Sequence, residues 1–199
     1  MGIMDERSSL FIISAPSGAG KTTLVRGLIE AVEPWHPIER VVTYTSRDIR
    51  PREMPGQDYH FISEDEFKKR IDQQFFIEWS NVYGAYYGSP RHELAKLEHG
   101  TSLIMILDVK GALNVIQEHS SAVSIWVSPP DIDELQRRLM RRGSENDAQR
   151  EARLKLAQQE LADQEALQKF QHKLVNIDYY KTVDQLTEIV KKSLQIPRK

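Results

Sequence analysis

The sequence predicts an α/β protein built on a doubly wound parallel sheet. Three observations predict it. The apolar runs Leu10-Phe-Ile-Ile13 and Leu103 to Leu107 are continuous rather than alternating, as in strands covered on both faces. Helical stretches alternate with such strands, which is the pattern of crossover-connected parallel sheets. Residues 15–22, Ala-Pro-Ser-Gly-Ala-Gly-Lys-Thr, form a glycine-rich turn where the first strand gives way to a helix.

Taken in order, the first predicted strand is Leu10–Ser14, and Leu24, Leu28 and Ile29 make an apolar stripe on a helix over Lys21–Val32. A strand follows at Val41–Tyr44. The segment 45–89 is rich in Tyr, Arg and Gly and breaks the alternation. Within it, Ser63 and Glu66 have capping-box spacing for a helix over Glu64–Gln73, and Phe75–Asn81 reads as a strand. Ser89, Pro90 and Gly100 are placed to cap, start and close a helix over Pro90–His99. Strands at Leu103–Asp108, Val123–Val127 and Lys173–Asn176 then alternate with helices at Ala112–His119, Ile132–Arg142 and Asn146–Phe170. The last of these has Leu154, Ala157 and Leu161 as a core stripe, and a final helix runs over Val183–Leu194. The chain reads as one domain with a core of 10–44, 90–136 and 171–195. Two lobes hang on it: residues 45–89, and an arginine-rich segment at about 137–153 that leads into the long helix to 170.

Bulk properties exclude several classes. Of 199 residues, 28% are charged and 40% hydrophobic, an ordinary globular balance. A net charge of −2 argues against a nucleic-acid or membrane-surface partner. Without cysteine there is no disulfide, cysteine–zinc site or thiol catalysis. The longest apolar run is too short to span a bilayer, and residues 1–9 lack an apolar signal core, so the expected location is cytoplasmic. Histidines 36, 60, 92, 99, 119 and 172 lack metal-ligand spacing. A homo-oligomer is left open.

The turn at 15–22 names a ligand class. It is one residue off the usual G-x-x-x-x-G-K-[ST], because Ala15 replaces the first glycine. Gly18 and Gly20 let the backbone curl until successive N–H groups face phosphate oxygens. Lys21 supplies a point charge for the β- and γ-phosphates, and the Thr22 hydroxyl suits Mg²⁺. The helix behind it offers its positive dipole end. Ala15, Pro16, Ser17, Gly18, Ala19, Gly20, Lys21, Thr22 and Thr23 are therefore the candidate nucleotide-phosphate site.

A second anion is expected at Thr43-Tyr-Thr-Ser-Arg47-Asp-Ile-Arg50-Pro-Arg-Glu53, where guanidinium forks follow a hydroxyl-rich strand end. Further on come Gly56-Gln-Asp-Tyr59-His-Phe61, Phe76-Ile-Glu78-Trp79 and Gly84-Ala-Tyr86-Tyr87-Gly88-Ser89. In their order and spacing, from Ser14 to about Asp178, these motifs resemble guanylate kinase. The resemblance implies a P-loop NTPase-type fold with a mixed lobe for the nucleoside monophosphate and an arginine-rich lid. It implies transfer of the γ-phosphate of ATP to GMP, and to dGMP, in guanine nucleotide metabolism, with Mg²⁺ accompanying ATP.

The resemblance also implies residue roles. Arg47, Arg50, Tyr59 and Tyr87 would hold the GMP phosphate. Glu78 would accept from guanine N1–H and the 2-amino group, with Asp108 as a second carboxylate. Thr43 and Ser89 would offer hydroxyls to O6 or N7. Adenine, with no 2-amino group and a bare acceptor at N1, would leave a buried carboxylate unpaired. Arg138 and Arg142 share a helix face by their i, i+4 spacing, and with Arg153 they match the lid arginines. Lys21, Arg47, Arg138, Arg142 and Arg153 are the expected catalytic cations, because transferring phosphoryl oxygens need positive charge around them. Val175 and Asn176 would lie near the adenine.

Some positions depart from the family pattern. Ile106 replaces the first acid of the usual Asp-x-Asp that ends at Asp108. Tyr44 stands in a stretch that the family usually fills with small hydroxyl or histidine residues, Arg52 replaces the usual glycine, and Ile177 replaces the usual acid. Ala15 is tolerable where its φ is negative. Two alternatives stay open: a related kinase of another phosphorylated substrate such as a ribose bisphosphate, and a non-catalytic interaction module.

Overall fold

In the computed structural model, the described residues are 8–16, 18–51, 53–82, 84–141 and 147–196. In chain order they form β1 (Leu10–Ser14), α1 (Lys21–Val32), β2 (Ile38–Arg40), β3 (Tyr44–Thr45), β4 (His60–Phe61), α2 (Glu64–Asp72), β5 (Phe76–Val82) and β6 (Ala85–Pro90). A 3-10 turn at Arg91–Leu94 leads to α3 (Ala95–Glu98), β7 (Ser102–Leu107), α4 (Val109–Glu118), β8 (Val123–Ser128) and α5 (Ile132–Arg141). After residues 142–146, which lie outside the described set, come α6 (Asp147–Ala162), α7 (Gln164–Gln168), β9 (His172–Val175) and α8 (Tyr179–Ser193). The chain divides into two compact units: one up to Arg40 and from Lys96 onward, the other Val41–Ala95.

The first unit holds the predicted parallel sheet, five strands in the order β2-β7-β1-β8-β9. Every residue of the central β1 is buried, so both faces are covered, as its unbroken apolar run requires. Phe11 and Ile13 share one face with Ile104, Ile125 and Val127, packing with Leu24, Leu28, Leu186 and Val190 of α1 and α8. Helix α4 packs against β1 and β7. Because the strands are parallel, their carboxyl ends fall on one edge. In register, Ser14 sits beside Leu107 and Trp126, and Ser128 beside Val175. The segments that follow, Ala15–Gly20, Asp108 and Asn176, therefore emerge together, which is where open α/β sheets bind ligands.

The second unit holds a mixed four-stranded sheet, β4-β3-β6-β5. Strands β5 and β6 form an antiparallel pair with a bulge between Phe76 and Glu78. The extra residue breaks strict alternation, so Phe76, Ile77 and Glu78 are all buried in sequence. Gly88 lies over the stacked rings of Phe67 and Phe76, whose centroids are 4.4 Å apart; a Cβ there would meet both rings at 2.9 Å.

Several expected boundaries are corrected. The strand expected at Val41–Tyr44 is two short strands, Ile38–Arg40 and Tyr44–Thr45, because the chain passes from one sheet to the other at residues 41–43. The helix expected at Pro90–His99 is a 3-10 turn and a single α-turn. Pro90 still belongs to β6, and the Ser89 hydroxyl donates to Glu78 at 2.7 Å instead of capping. The long helix Asn146–Phe170 breaks at Asp163, whose carboxylate accepts from Ala166 N–H and starts a new helix. Of its expected stripe, Ala157 is buried while Leu154 and Leu161 are half-buried. Asp108 and Asp178 act as N-caps of α4 and α8, so both helices begin earlier than expected. At α2, Ser63 accepts from Glu66 N–H as predicted, but the Glu66 carboxylate turns to Arg70 at 2.8 Å.

Candidate active site

In the first unit, Gly18 and Gly20 have φ of 93° and 94°, the left-handed region that glycine alone enters cheaply. Ala15 is not among the residues with positive φ, so its methyl is accommodated. Gly20 is the N-cap of α1 and gives no side-chain cap, and the first turn holds no acid to neutralise the dipole. The Lys21 ammonium donates to Ala15 O at 2.6 Å and Pro16 O at 3.3 Å, which folds it back along the loop. Thr22 and Thr23 are exposed on the first helical turn.

Two side chains from elsewhere reach the same loop. Arg138 of α5 donates through Nη1 to Ala19 O at 3.3 Å, while Glu134 one turn earlier accepts from its Nε at 2.8 Å. Asn176, at the end of β9, donates through Nδ2 to Ala19 O at 3.1 Å. Arg153 lies on α6, and Arg142 and Ser17 lie outside the described residues. Asp108 accepts from Gly111 N–H at 2.8 Å as the α4 cap. Ile106, opposite Ile13 in the register, packs against the apolar core in place of the expected acid.

In the second unit, Glu53 organises the arginine loop. Its two carboxylate oxygens accept from Arg47 Nη1 and Nη2 at 2.7 and 2.6 Å, and Oε2 also accepts from Arg50 N–H at 2.9 Å. The Arg47 guanidinium lies 4.9 Å from the Tyr59 ring centroid and 5.5 Å from that of Phe61, and the Tyr59 and Tyr87 rings are 6.0 Å apart. Arg47, Tyr59 and Tyr87 are thus brought together within this unit. Burial opposes the Arg47 charge, but the hydrogen bond to Glu53 and the fields of Tyr87, Glu53 and Tyr59 outweigh it and raise its pKa. Burial likewise raises the Glu53 pKa, and the bonds from Arg47 and the Arg50 backbone overcome this and lower it. Arg47 Nε is buried without a hydrogen-bond partner.

Glu78 stands directly opposite Ser89 across the β5–β6 pair. It is 6% exposed, and its Oε1 accepts from both the Ser89 backbone N–H at 3.1 Å and the Ser89 hydroxyl at 2.7 Å. Thr43 precedes β3, and its carbonyl accepts from His60 N–H at 2.9 Å. Tyr44 stacks on His60 at 4.5 Å beneath the Arg70 guanidinium and meets Phe75 edge-on. The departure at Tyr44 therefore builds the lobe's aromatic core.

A model of the guanylate kinase family matches residues 7–193. The chain belongs to the guanylate kinase family. It is 44% identical over 181 residues to a guanylate kinase of Chlamydia felis, covering 90% of this chain and 86% of that protein. A guanylate kinase of Clostridium acetobutylicum is 33% identical over 94% of this chain and 87% of its own length. The crystal structure of a guanylate kinase from Anaplasma phagocytophilum superposes with a TM-score of 0.76 at 28% identity, covering 94% of this chain and 86% of that one. The fold of the guanylate kinase family is thus the fold of this chain, parallel sheet included.

Within this guanylate kinase framework, three positioning side chains escaped the sequence reading. Glu53 holds the Arg47 fork, Glu134 holds Arg138, and Thr182 donates to Asn176 Oδ1 at 3.2 Å. The second was legible as charge spacing, a carboxylate at i−4 of Arg138 on one helix, whereas Arg47 and Glu53 are joined by a loop that no helical spacing describes.

Proposed function

We propose that the chain is a kinase that transfers the γ-phosphate of ATP to GMP, giving ADP and GDP, and that dGMP is accepted as well. Membership of the guanylate kinase family over most of the chain supports the reaction, and neither the sugar-phosphate kinase nor the interaction module is favoured by these relatives. The observation that supports GMP as acceptor is the buried Glu78 carboxylate, held by Ser89 in the same unit as the Arg47–Glu53–Tyr59 cluster.

On this reading, the loop 15–23 receives the ATP phosphates through backbone N–H groups, Lys21 and the α1 dipole. Arg47, Arg50, Tyr59 and Tyr87 hold the GMP phosphate. Glu78, with Asp108 and Thr43, recognises the guanine edge, while Ser89, expected to offer its hydroxyl to O6 or N7, donates that proton to Glu78 and braces the carboxylate instead. Arg138, Arg142 and Arg153 neutralise charge on the transferring group and, with the lid, exclude water. The acceptor is already an ionised phosphate oxygen, so no strong general base is required. Ile106 leaves the task of the usual first acid to other groups.

Mg²⁺ fits the donor set. No cluster of three or more His, Cys, Asp or Glu suited to a metal occurs among the described residues. Thr22 instead offers one hard hydroxyl oxygen on the exposed first turn of α1. A cation held mainly by phosphates and water needs no more. When bound, it supplies neutralising charge to the β- and γ-phosphate oxygens. No helix among the described residues is long and apolar enough to cross a membrane, and a cytoplasmic role in guanine nucleotide metabolism is part of the same proposal.

A coupled assay with GMP, AMP, UMP and a ribose bisphosphate tests the reading. GMP turnover far above the others is expected. Failure with GMP together with turnover of the sugar phosphate overturns it.

A further inference from the structure

We propose that Asn176 is a positioning residue that holds the phosphate loop in its ligand-receiving shape, and that it does not read the adenine base. The inference rests on the proposed function, because it concerns the triphosphate of that same donor.

Asn176 is fixed before its side chain does anything. Its backbone N–H donates to Ser128 O at 2.8 Å, which anchors it at the edge of the parallel sheet, and the residue is only 6% exposed. Its amide is committed at both ends. Ala19 O can only accept, so the atom facing it at 3.1 Å is the nitrogen Nδ2. Oδ1 then faces the Thr182 hydroxyl at 3.2 Å, whose single proton is shared between Oδ1 and the nearer Asp178 O at 2.7 Å, so this end is the weaker of the two contacts. A chain of contacts thus runs from the start of α8 through Asn176 to the loop.

The consequence lies in the 19–20 peptide. No peptide in the described residues is cis, and in a trans peptide the carbonyl and the following N–H point in opposite directions. Holding Ala19 O toward Asn176 and Arg138 therefore turns Gly20 N–H to the opposite side. Gly20 is the residue whose φ of 94° closes the loop, and a Cβ there would lie 3.6 Å from Asn176 Nδ2. Asn176 and Arg138 both donate to this one carbonyl, so the peptide is held from the end of β9 and from α5. A base-reading amide would instead need its donor and acceptor presented outward.

The test uses the full chain, calorimetry and two probes: Mg·ATP, and inorganic tripolyphosphate, which has no base. With Asn176→Ala, both are expected to bind about 5- to 10-fold more weakly, by the same factor, as for loss of one neutral hydrogen bond. GMP affinity should be unchanged. Thr182→Val, which leaves the amide in place but unbraced, should weaken both probes equally and by less. A loss for ATP alone would mean that Asn176 reads the base and would overturn the inference. So would unchanged affinities, or a fall only in binding stoichiometry, which reports folded fraction. If the natural chain binds both probes yet makes no GDP, the proposed function fails and the inference stands. If it binds neither, both fail.

Discussion

Glu53 makes the sharpest prediction about the acceptor site. Replacing it with Gln keeps the shape but removes the charge and one of the two acceptors that face the Arg47 fork. The side chains of Arg47 and Glu53 are 12% and 19% exposed, so their bidentate bond is shielded from water and is worth more than a surface pair. A hydrogen bond to a charged group contributes about 1.5–3 kcal/mol, and an unanchored arginine regains up to about 2 kcal/mol of rotamer entropy. On the proposed reading, part of this returns when Arg47 meets the GMP phosphate. A net loss of about 1.5–2 kcal/mol in placing that phosphate corresponds to roughly a 10- to 30-fold rise in KM for GMP. Steady-state assays at saturating ATP should show this rise with a smaller change in kcat. Guanosine, which has no phosphate, should inhibit the variant and the natural chain equally. If KM for GMP is unchanged or falls, Glu53 competes with the phosphate instead of orienting the clamp, and the reasoning is wrong.

Other outcomes follow from the same geometry. Glu78→Gln should raise KM for GMP by roughly 100-fold, as for a few kcal/mol, while ATP affinity measured by calorimetry stays the same. Gly88→Ala should destabilise the chain by about 1–3 kcal/mol in thermal or denaturant unfolding, because its Cβ would lie 2.9 Å from Phe67 and Phe76 ring atoms. The folded-state pKa of Glu53 lies below its ordinary 4.5, so its ionised form is favoured by folding. The stability gap between the natural chain and Glu53→Gln should be full above about pH 5 and shrink as pH falls through the lowered folded-state value.

The parts legible in the sequence were those whose signal is local. The loop at 15–22 is specified by glycines that need positive φ, and β1 and β7 by runs that only a doubly covered sheet accommodates. Strands β3 and β4 have two residues each, too few for any period to register. Strand β6 has the composition of a turn, Ala-Tyr-Tyr-Gly-Ser-Pro, and is a strand because β5 pairs with it. Ser89 was misread for the same reason: its capping signal is local, and the buried carboxylate across the strand overrides it. At the site, the cations at 47 and 138 were read as ligand binders, which hid the glutamates that hold them. Asn176 was placed near adenine by resemblance, and its two hydrogen bonds became visible only once β9, α8 and the loop were together.

The central claim is phosphoryl transfer between two nucleotides, and a product balance tests it most directly. Incubation of the chain with Mg·ATP and GMP, followed by chromatographic separation of the nucleotides, should yield ADP and GDP in equal amounts. Mg·ATP alone should yield almost no ADP, as the proposed exclusion of water by the lid requires. ADP formed without GDP, or at the same rate whether or not GMP is present, would contradict the account.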